Sequence, residues 1–164
     1  MTISARSIQK AFRETIDYAR WKHPYEVTLT LKQCIYIDHD RGRSRIALTK
    51  IDAEQNLRHF LNLLNKRIYG PSAQRHNKRV HVIPILEGSP DKRLHYHLLI
   101  DCPRDDLIDA FPATIINAWR ETTWGYDQTH VSECDAGWIF YITKLRDKPN
   151  FADAIDWTNL NNAL

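Results

Sequence analysis

Two histidines alternate with apolar residues in the segment 93–101, which reads Arg-Leu-His-Tyr-His-Leu-Leu-Ile-Asp. Side chains along a β-strand repeat their direction every two residues, so His95 and His97 are predicted to project from the same face. Two neighbouring imidazoles on a rigid strand are a potential pair of metal ligands. The alternative interpretation is a histidine pair on a solvated sheet face. The opposite face of the strand is predicted to carry Leu94, Tyr96, Leu98 and Ile100.

Glu87 could supply a third ligand. It ends an apolar segment, 79–87, that is predicted to be a strand, and a turn at 87–91 leads into the histidine strand. A hairpin of these two strands would bring the Glu87 carboxylate beside His95 or His97. One carboxylate and two imidazoles leave open coordination positions, as a catalytic divalent ion requires. Mixed oxygen and nitrogen ligands fit Mn²⁺, Mg²⁺ or Co²⁺, and Zn²⁺ remains an alternative.

Other interpretations of this hairpin remain open. Taken alone, Glu87 is an acid beside a turn, and such acids are commonly surface residues. Strict alternation also places His81 on the face of Glu87, which makes His81 a reserve ligand. Pro84 indicates an edge strand or a bulge, and a bulge there would reset the alternation.

The sequence Tyr-Ile-Thr-Lys at 141–144 combines a phenol with an ammonium group. Positions i and i+3 share a face of a helix, so Tyr141 and Lys144 would be neighbours. A phenol with an ordinary pKa of about 10 is a weak nucleophile until a cation or a base stabilises its anion. Lys144 could do this, or could neutralise charge that develops on a phosphate oxygen. The alternative is a packing tyrosine beside an exposed lysine.

A larger domain must position these residues. Periodicity predicts helices over 3–20, 52–69 (capped by Asp52), 104–121 (interrupted by Pro112) and 135–146. Alternation predicts strands over 27–31 and 128–134, and turn residues predict a hairpin within 34–50. Regular structure is predicted to end at Pro149. Beyond Pro149 only Trp157 stands out, as a potential packing anchor. The order of elements predicts an α+β domain, with a central, mainly antiparallel sheet and flanking helices gathered on one face. RNA-recognition modules and several nucleases share this sandwich, so the fold alone does not give a function.

Length and composition favour a single domain spanning 1–164. With 164 residues, 43% of them hydrophobic and 26% charged, the chain can bury a core of its own. No apolar stretch approaches the roughly 18 residues that span a bilayer, and the amino terminus has no apolar signal core. The three cysteines form no Cys-x-x-Cys pair, which argues against a disulfide framework and a thiolate zinc site. We expect a cytoplasmic protein that does not associate with membranes.

Basic residues are clustered, although the net charge is only +3. Local basic patches on a nearly neutral protein suit a polyanionic partner, but lysine and arginine also occupy ordinary surface loops. The clusters are Arg41, Arg43 and Arg45; Arg75, His76, Lys78 and Arg79; Lys92 and Arg93; and Lys144, Arg146 and Lys148.

The ordered set of Glu87, His95-Tyr96-His97 and Tyr141-Ile142-Thr143-Lys144 resembles the motifs of the HUH endonuclease superfamily. The resemblance is to the single-tyrosine replication initiators of rolling-circle plasmids, phages and small DNA viruses, and it covers roughly residues 26–148. In that family a Glu precedes a His-hydrophobic-His strand, and a Tyr-x-x-Lys helix follows. An early family motif, a strand that carries Thr, matches 27–33 only loosely.

The resemblance implies a metal-dependent, sequence-specific endonuclease that nicks and rejoins single-stranded DNA to initiate rolling-circle replication. Glu87, His95 and His97 would hold Mn²⁺ or Mg²⁺, and Tyr141 would become joined to the 5′ phosphate, with Tyr126 as the alternative nucleophile. The expected partners are single-stranded or hairpin origin DNA and, because the sequence has no Gly-x4-Gly-Lys-Ser/Thr phosphate loop, a separate helicase. Candidate contacts to the DNA backbone are Arg41, Arg43, Arg45, Arg75, Lys78 and Arg79.

Three other functions remain open. A single-tyrosine transposase or a relaxase of the same superfamily would carry the same catalytic groups. Arg93-Leu94 departs from the Pro-Asn that often precedes the first histidine in such transposases, which favours replication. A non-catalytic nucleic-acid-binding module would stack bases on Tyr96 and the histidines. A structural protein with a histidine pair in its core would show no metal dependence.

Overall fold

The structure is a computed structural model that describes residues 3–89, 91–146, 148 and 150–162. Pro90, in the predicted turn, and Pro149, at the predicted end of regular structure, lie outside the described residues. The helices are α1 (Ala5–Glu14), α2 (Lys50–Tyr69), α3 (Ser72–Arg75), α4 (Phe111–Arg120), α5 (Trp138–Ile142) and α6 (Phe151–Ala154). The strands are β1 (Pro24–Leu31), β2 (Cys34–His39), β3 (Gly42–Ala47), β4 (Val82–Ser89), β5 (Lys92–Asp101) and β6 (Gly125–Glu133).

Four strands form an antiparallel sheet in the order β4-β5-β1-β6. This confirms the predicted α+β class and the hairpin of β4 with β5. Pro84 lies on β4, which is an edge strand of the sheet. This confirms the prediction from Pro84, because proline has no N–H to donate to a second neighbouring strand. The irregularity in this hairpin falls between Glu87 and Ser89 and not at Pro84.

Helices cover both faces of the sheet, and the expectation that they gather on one face is wrong. On one face α2 and α4 pack against Tyr96, Leu98 and Ile100 of β5, as the alternation predicts. On the other face α1, α5 and α6 pack against side chains of β4 and β5 that include Leu99. The physical reason is visible in β4, where five consecutive residues from Val82 are buried. An apolar run of this kind must be covered on both sides.

Four helices have boundaries that differ from their predictions, and α1 ends at Glu14 instead of residue 20. Thr49 caps α2, and Asp52 completes a capping box three positions later, because each side chain accepts from the other's backbone N–H. Pro112 lies in the first turn of α4, where its missing N–H has no helical partner to lose. The predicted helix over 135–146 shrinks to α5, because the Asp135 carboxylate accepts from the N–H of Gly137 (2.7 Å) and forms a turn instead.

Residues 150–162 have a defined structure that the sequence did not predict. Phe151 is buried between α1 and the sheet, and Ile155 forms a bridge to β4 that covers part of its edge. Asp156 accepts a hydrogen bond from the buried phenol of Tyr96 (3.0 Å). Trp157 contacts Phe12 edge-on, with ring centroids 6.0 Å apart, but remains about half exposed.

Strands β2 and β3 form a separate two-stranded ribbon, as the predicted hairpin requires. Every residue of β3 is exposed. The base of the ribbon is tied to the main sheet at Gln33, whose side-chain oxygen accepts from the N–H of Leu94 (3.0 Å). The ribbon therefore leaves the sheet at the end where β5 begins. Among the described residues, no helix has both the length and the apolar character needed to cross a membrane.

Candidate metal centre and active site

Glu87, His95 and His97 converge on one point at the edge of the sheet. In the register of the hairpin Glu87 lies directly opposite His95, and His97 follows on the same face. The two Nε2 atoms are 3.2 Å apart, and Oε2 of Glu87 lies 3.9 Å from that of His95 and 3.5 Å from that of His97. Donor atoms of all three residues lie within 4.8 Å of one another, so this group could hold a metal ion.

Hydrogen bonds on the far side of each ring orient the two imidazoles. Nδ1 of His95 donates to the carbonyl oxygen of Arg93 (2.8 Å), so in the neutral ring Nε2 carries the lone pair that faces the centre. Nδ1 of His97 lies 3.0 Å from the Thr28 hydroxyl on β1. Metal-binding histidines usually have such a partner on the second nitrogen. Burial lowers the pKa of His95, which favours the neutral, metal-binding form.

Glu87 is held as an anion. Burial by itself raises the pKa of this carboxyl, but the nearby His97 and Lys148 outweigh that effect and bring the pKa of Glu87 down to about 2. An ionised Glu87 carboxylate beside a neutral His95 imidazole can offer lone pairs to a divalent cation at the same pH, which metal binding requires.

Lys148 is the residue of this site that sequence reasoning missed. Its side chain is only 3% exposed, and its ammonium forms an ion pair with Oε1 of Glu87 and donates to the carbonyl oxygen of Lys144 (3.1 Å). Because Lys148 contacts Oε1, Glu87 presents only Oε2 to the histidines. The sequence marks Lys148 as one of a basic cluster, and no spacing pattern indicates that it is buried.

Tyr141 lies beside the three ligands. Its ring centroid is 5.6 Å from that of His97, and the ring stacks on Trp138 at 5.3 Å with an interplanar angle of 16°. Trp138 is in turn fixed by a hydrogen bond from its indole N–H to the carbonyl oxygen of Leu98 (2.9 Å). The phenol is half exposed, so a substrate can reach it. Tyr126 lies on β6 instead, beneath the guanidinium of Arg93.

Lys144 lies just after α5 and not within it, because α5 ends at Ile142 and is shorter than the predicted helix over 135–146. Its ammonium is nevertheless next to Tyr141, 3.9 Å from the ring centroid. This contact is with the face of the ring and is a cation–π interaction. The predicted proximity of the two groups is therefore present, through a different backbone conformation.

Helix α1 braces the segment that carries Tyr141. Gln9 donates to the carbonyl oxygen of Thr143 (2.6 Å), and Arg13 donates to its hydroxyl (2.6 Å) and to the carbonyl oxygen of Phe140 (3.3 Å). Carbonyls at the end of a short helix lack helical partners, and these side chains supply them. The sequence gives α1 an apolar face but no sign of this bracing role.

His81 does not belong to the metal centre. It lies just before β4, roughly 20 Å from Glu87 by the rise of a strand, and its ring packs beside that of Trp21. Strict alternation does put it on the same face as Glu87, but at the opposite end of the strand. Among the described residues, the group that could hold a metal ion consists of Glu87, His95 and His97.

The candidate DNA contacts fall into two separate groups. Arg43 and Arg45 lie on one face of the ribbon together with Tyr36, over which Arg43 stacks at 4.6 Å, and Arg41 lies at its tip. The ribbon leaves the sheet at the end that carries the metal centre. The other three residues lie between α2 and β4, at the opposite end of the sheet, and are Arg75, Lys78 and Arg79.

One comparison with known proteins gives a match. A family model described as replication-associated protein ORF2/gene 2 protein matches residues 24–150, which include the three potential ligands, Tyr141 and both lysines of the site. The matched region begins after α1. No curated protein and no solved structure matches the chain significantly.

Proposed function

We propose, from the premise that this chain belongs to the replication-associated protein ORF2/gene 2 protein family, that it is a metal-dependent DNA endonuclease of the HUH type. It would nick single-stranded origin DNA at a specific sequence and later rejoin the strand. The proposal is carried by one observation, the contact of the Tyr141 ring with His97 in a group that could hold a metal ion.

The proposed reaction is a transesterification at one phosphodiester. The Tyr141 oxygen attacks phosphorus in line and loses its proton, while the bond from phosphorus to the 3′ oxygen breaks. The electron pair of that bond stays on the 3′ oxygen, which takes up a proton and leaves as a hydroxyl. The 5′ phosphate remains on Tyr141, and a later 3′ hydroxyl can reverse the step and join two strands.

The residues of the centre divide the remaining tasks. Glu87, His95 and His97 would hold Mn²⁺ or Mg²⁺, which when bound would act as a Lewis acid on the scissile phosphate. Two nitrogen ligands favour Mn²⁺ over Mg²⁺, which prefers oxygen. Lys144 is adjacent to the phenol and would neutralise charge as the phenolate and phosphate approach each other.

Exposed aromatic side chains support a single-stranded substrate. Phe140 is 59% exposed and Tyr141 48% exposed, which is unusual for rings on a helix that packs on a sheet. Aromatic rings of this kind stack on unpaired bases, which a duplex would hide. Arg41, Arg43 and Arg45 on the neighbouring ribbon would contact the backbone of the same strand. Unwinding would be supplied by a separate helicase.

The direct test is formation of a covalent adduct. The protein is incubated with Mn²⁺ and single-stranded origin DNA labelled on the 3′ side of the nick, and the mixture is separated under denaturing conditions. We expect a labelled protein band with the unchanged chain and with Tyr126→Phe, and none with Tyr141→Phe or with a chelator. An adduct in Tyr141→Phe would contradict the assignment of the nucleophile.

A further inference from the structure

A basic groove runs along the exposed side of α2 at the end of the sheet opposite the metal centre. It consists of two adjoining cavities of about 390 and 750 Å³ that share Asn62, Asn65 and Arg79 as lining residues. We call it the α2–α3 groove. Its cationic side chains are Arg58, Lys66, Lys78 and Arg79, all of them exposed.

The charge of this groove is not neutralised. No aspartate or glutamate lines either cavity, and within the described part of the chain none of the four cations forms a salt bridge. Arg67, which follows Lys66 on α2, differs from the groove cations because it forms an ion pair with Glu121 outside the groove. Unpaired cations without a nearby acid attract a polyanion from solution.

Amide groups hold one of these cations in place without neutralising it. Nε of Arg79 donates to the side-chain oxygen of Asn77 (2.9 Å), and a longer contact reaches Asn62 (3.4 Å). Asn77 adopts a left-handed backbone conformation with φ of 48°, and the buried Asn65 accepts from the N–H of Val80 (2.8 Å). The loop is therefore built to present Arg79 with its full charge.

We infer that the α2–α3 groove binds the sugar–phosphate backbone of double-stranded DNA beside the nicking site. This rests on the proposed function for the presence of DNA. His59 lines one of the two cavities as described, but no phenylalanine, tyrosine or tryptophan does, so the groove lacks a row of rings on which successive unpaired bases could stack. Val82 lies in the groove at the start of β4, roughly 17 Å from Glu87 by the rise of a strand, which corresponds to about five base pairs at 3.4 Å each. The protein would hold a duplex in this groove while the metal centre takes an adjoining unpaired segment.

Neutralising variants with a matched control test this inference. Arg58→Gln combined with Lys66→Gln removes two groove cations. Arg67→Gln combined with Arg120→Gln removes two exposed cations that are paired with Glu121 and Asp127. Fluorescence anisotropy then measures the binding of a labelled 30-base-pair duplex and of a 20-nucleotide single strand between 50 and 300 mM salt (roughly the range in which counterion release is resolved).

We expect the groove variant to lose at least about tenfold in duplex affinity at 0.1 M salt. The slope of log affinity against log salt should become shallower by about 1.8, which is 0.9 for each lost phosphate contact. Single-strand binding and adduct yield should stay within about twofold of the unchanged chain, and the control should behave as the unchanged chain does.

Three results would overturn the inference. These are an unchanged duplex affinity and salt slope in the groove variant, an equal loss in the control, or an equal loss of single-strand binding. The outcome is independent of nicking. If the unchanged chain forms no adduct but the groove variant alone loses duplex binding, the proposed nuclease activity fails and the groove remains a duplex site.

Discussion

Lys148 forms a buried ion pair with one oxygen of the Glu87 carboxylate and leaves the other oxygen facing two imidazoles. The ammonium thus occupies one side of the carboxylate, and a metal ion would occupy the other. Glu87 can then bind a metal ion through a single oxygen, which leaves more coordination positions for a phosphate and a water molecule. Lys148 would act through Glu87 and is a positioning residue.

Replacing Lys148 by methionine should destabilise the metal-free protein. The substitution leaves a largely buried carboxylate without its cation, so we expect the free energy of unfolding to fall by about 3 kcal/mol. Mn²⁺ should restore much of that loss, because it supplies a new positive partner for Glu87. Urea unfolding with a chelator and with Mn²⁺ measures both effects. Lys144→Met is the control, since Lys144 contacts a ring and no carboxylate. Equal stability of Lys148→Met and the unchanged chain would contradict the ion pair.

Glu87 should make stability depend on pH in acid. Its folded pKa of about 2 lies below the ordinary value of 4.5. The contribution is therefore complete above pH 4.5 and is lost as the pH falls from 4.5 to 2, for a total of about 3 kcal/mol. Urea unfolding between pH 6 and about 2.5 should show this loss, and Glu87→Gln should reduce the slope in that window. A parallel pH profile for Glu87→Gln and for the exposed Glu14→Gln would argue against the assignment.

Thr28 should support metal binding through His97, whose Nδ1 lies 3.0 Å from the Thr28 hydroxyl. Thr28→Val keeps the shape and removes the hydrogen bond, so we expect the affinity for Mn²⁺ to fall at least about tenfold. Thr28→Ser keeps a hydroxyl and should retain most of the affinity. Isothermal titration calorimetry with Mn²⁺ compares the three proteins. If valine and serine behave alike, the hydroxyl does not orient His97.

Arg13 should affect chemistry without affecting metal binding. It donates to Thr143 and Phe140 at the end of the helix that carries Tyr141, and it makes no contact with the three ligands. Arg13→Gln is expected to lower the rate of adduct formation about tenfold, because a displaced nucleophile loses its orientation. The affinity for Mn²⁺ should stay unchanged. Lys10→Gln on the same helix is the control, since the exposed Lys10 pairs with Glu14 one turn further along α1. A parallel fall in rate and metal affinity would indicate general unfolding instead.

The sequence predicts the arrangement of Glu87, His95 and His97 better than the arrangement of the residues around them. Strand alternation has a period of two and predicts that His95 and His97 share a face, and the turn after Glu87 allows its carboxylate to lie beside them, as it does in the register of the hairpin. The proximity of Tyr141 and Lys144 was predicted through a helical spacing, and their contact is present although the helix ends at Ile142. Local rules suffice where the residues concerned lie on one strand, one hairpin or one turn.

The remaining features depend on contacts between distant parts of the chain. Lys148 is buried because the segment after α5 folds back along β4, where Ile155 forms a bridge to the strand edge. Arg13 on α1 donates to Thr143 at the end of α5, and no local sequence pattern predicts a contact between residues so far apart in the chain. The continuous apolar run from Val82 does indicate that both faces of β4 are covered. That signal was present in the sequence and would have predicted helices on both sides.

Identification of the DNA-linked residue tests the central claim most directly. After reaction with Mn²⁺ and single-stranded origin DNA, the protein is digested with protease and nuclease, and the peptides are analysed by mass spectrometry. We predict a nucleotide joined through its 5′ phosphate to the phenol oxygen of Tyr141. A nucleotide on Tyr126, or cleavage of the DNA with no modified tyrosine at all, would contradict it.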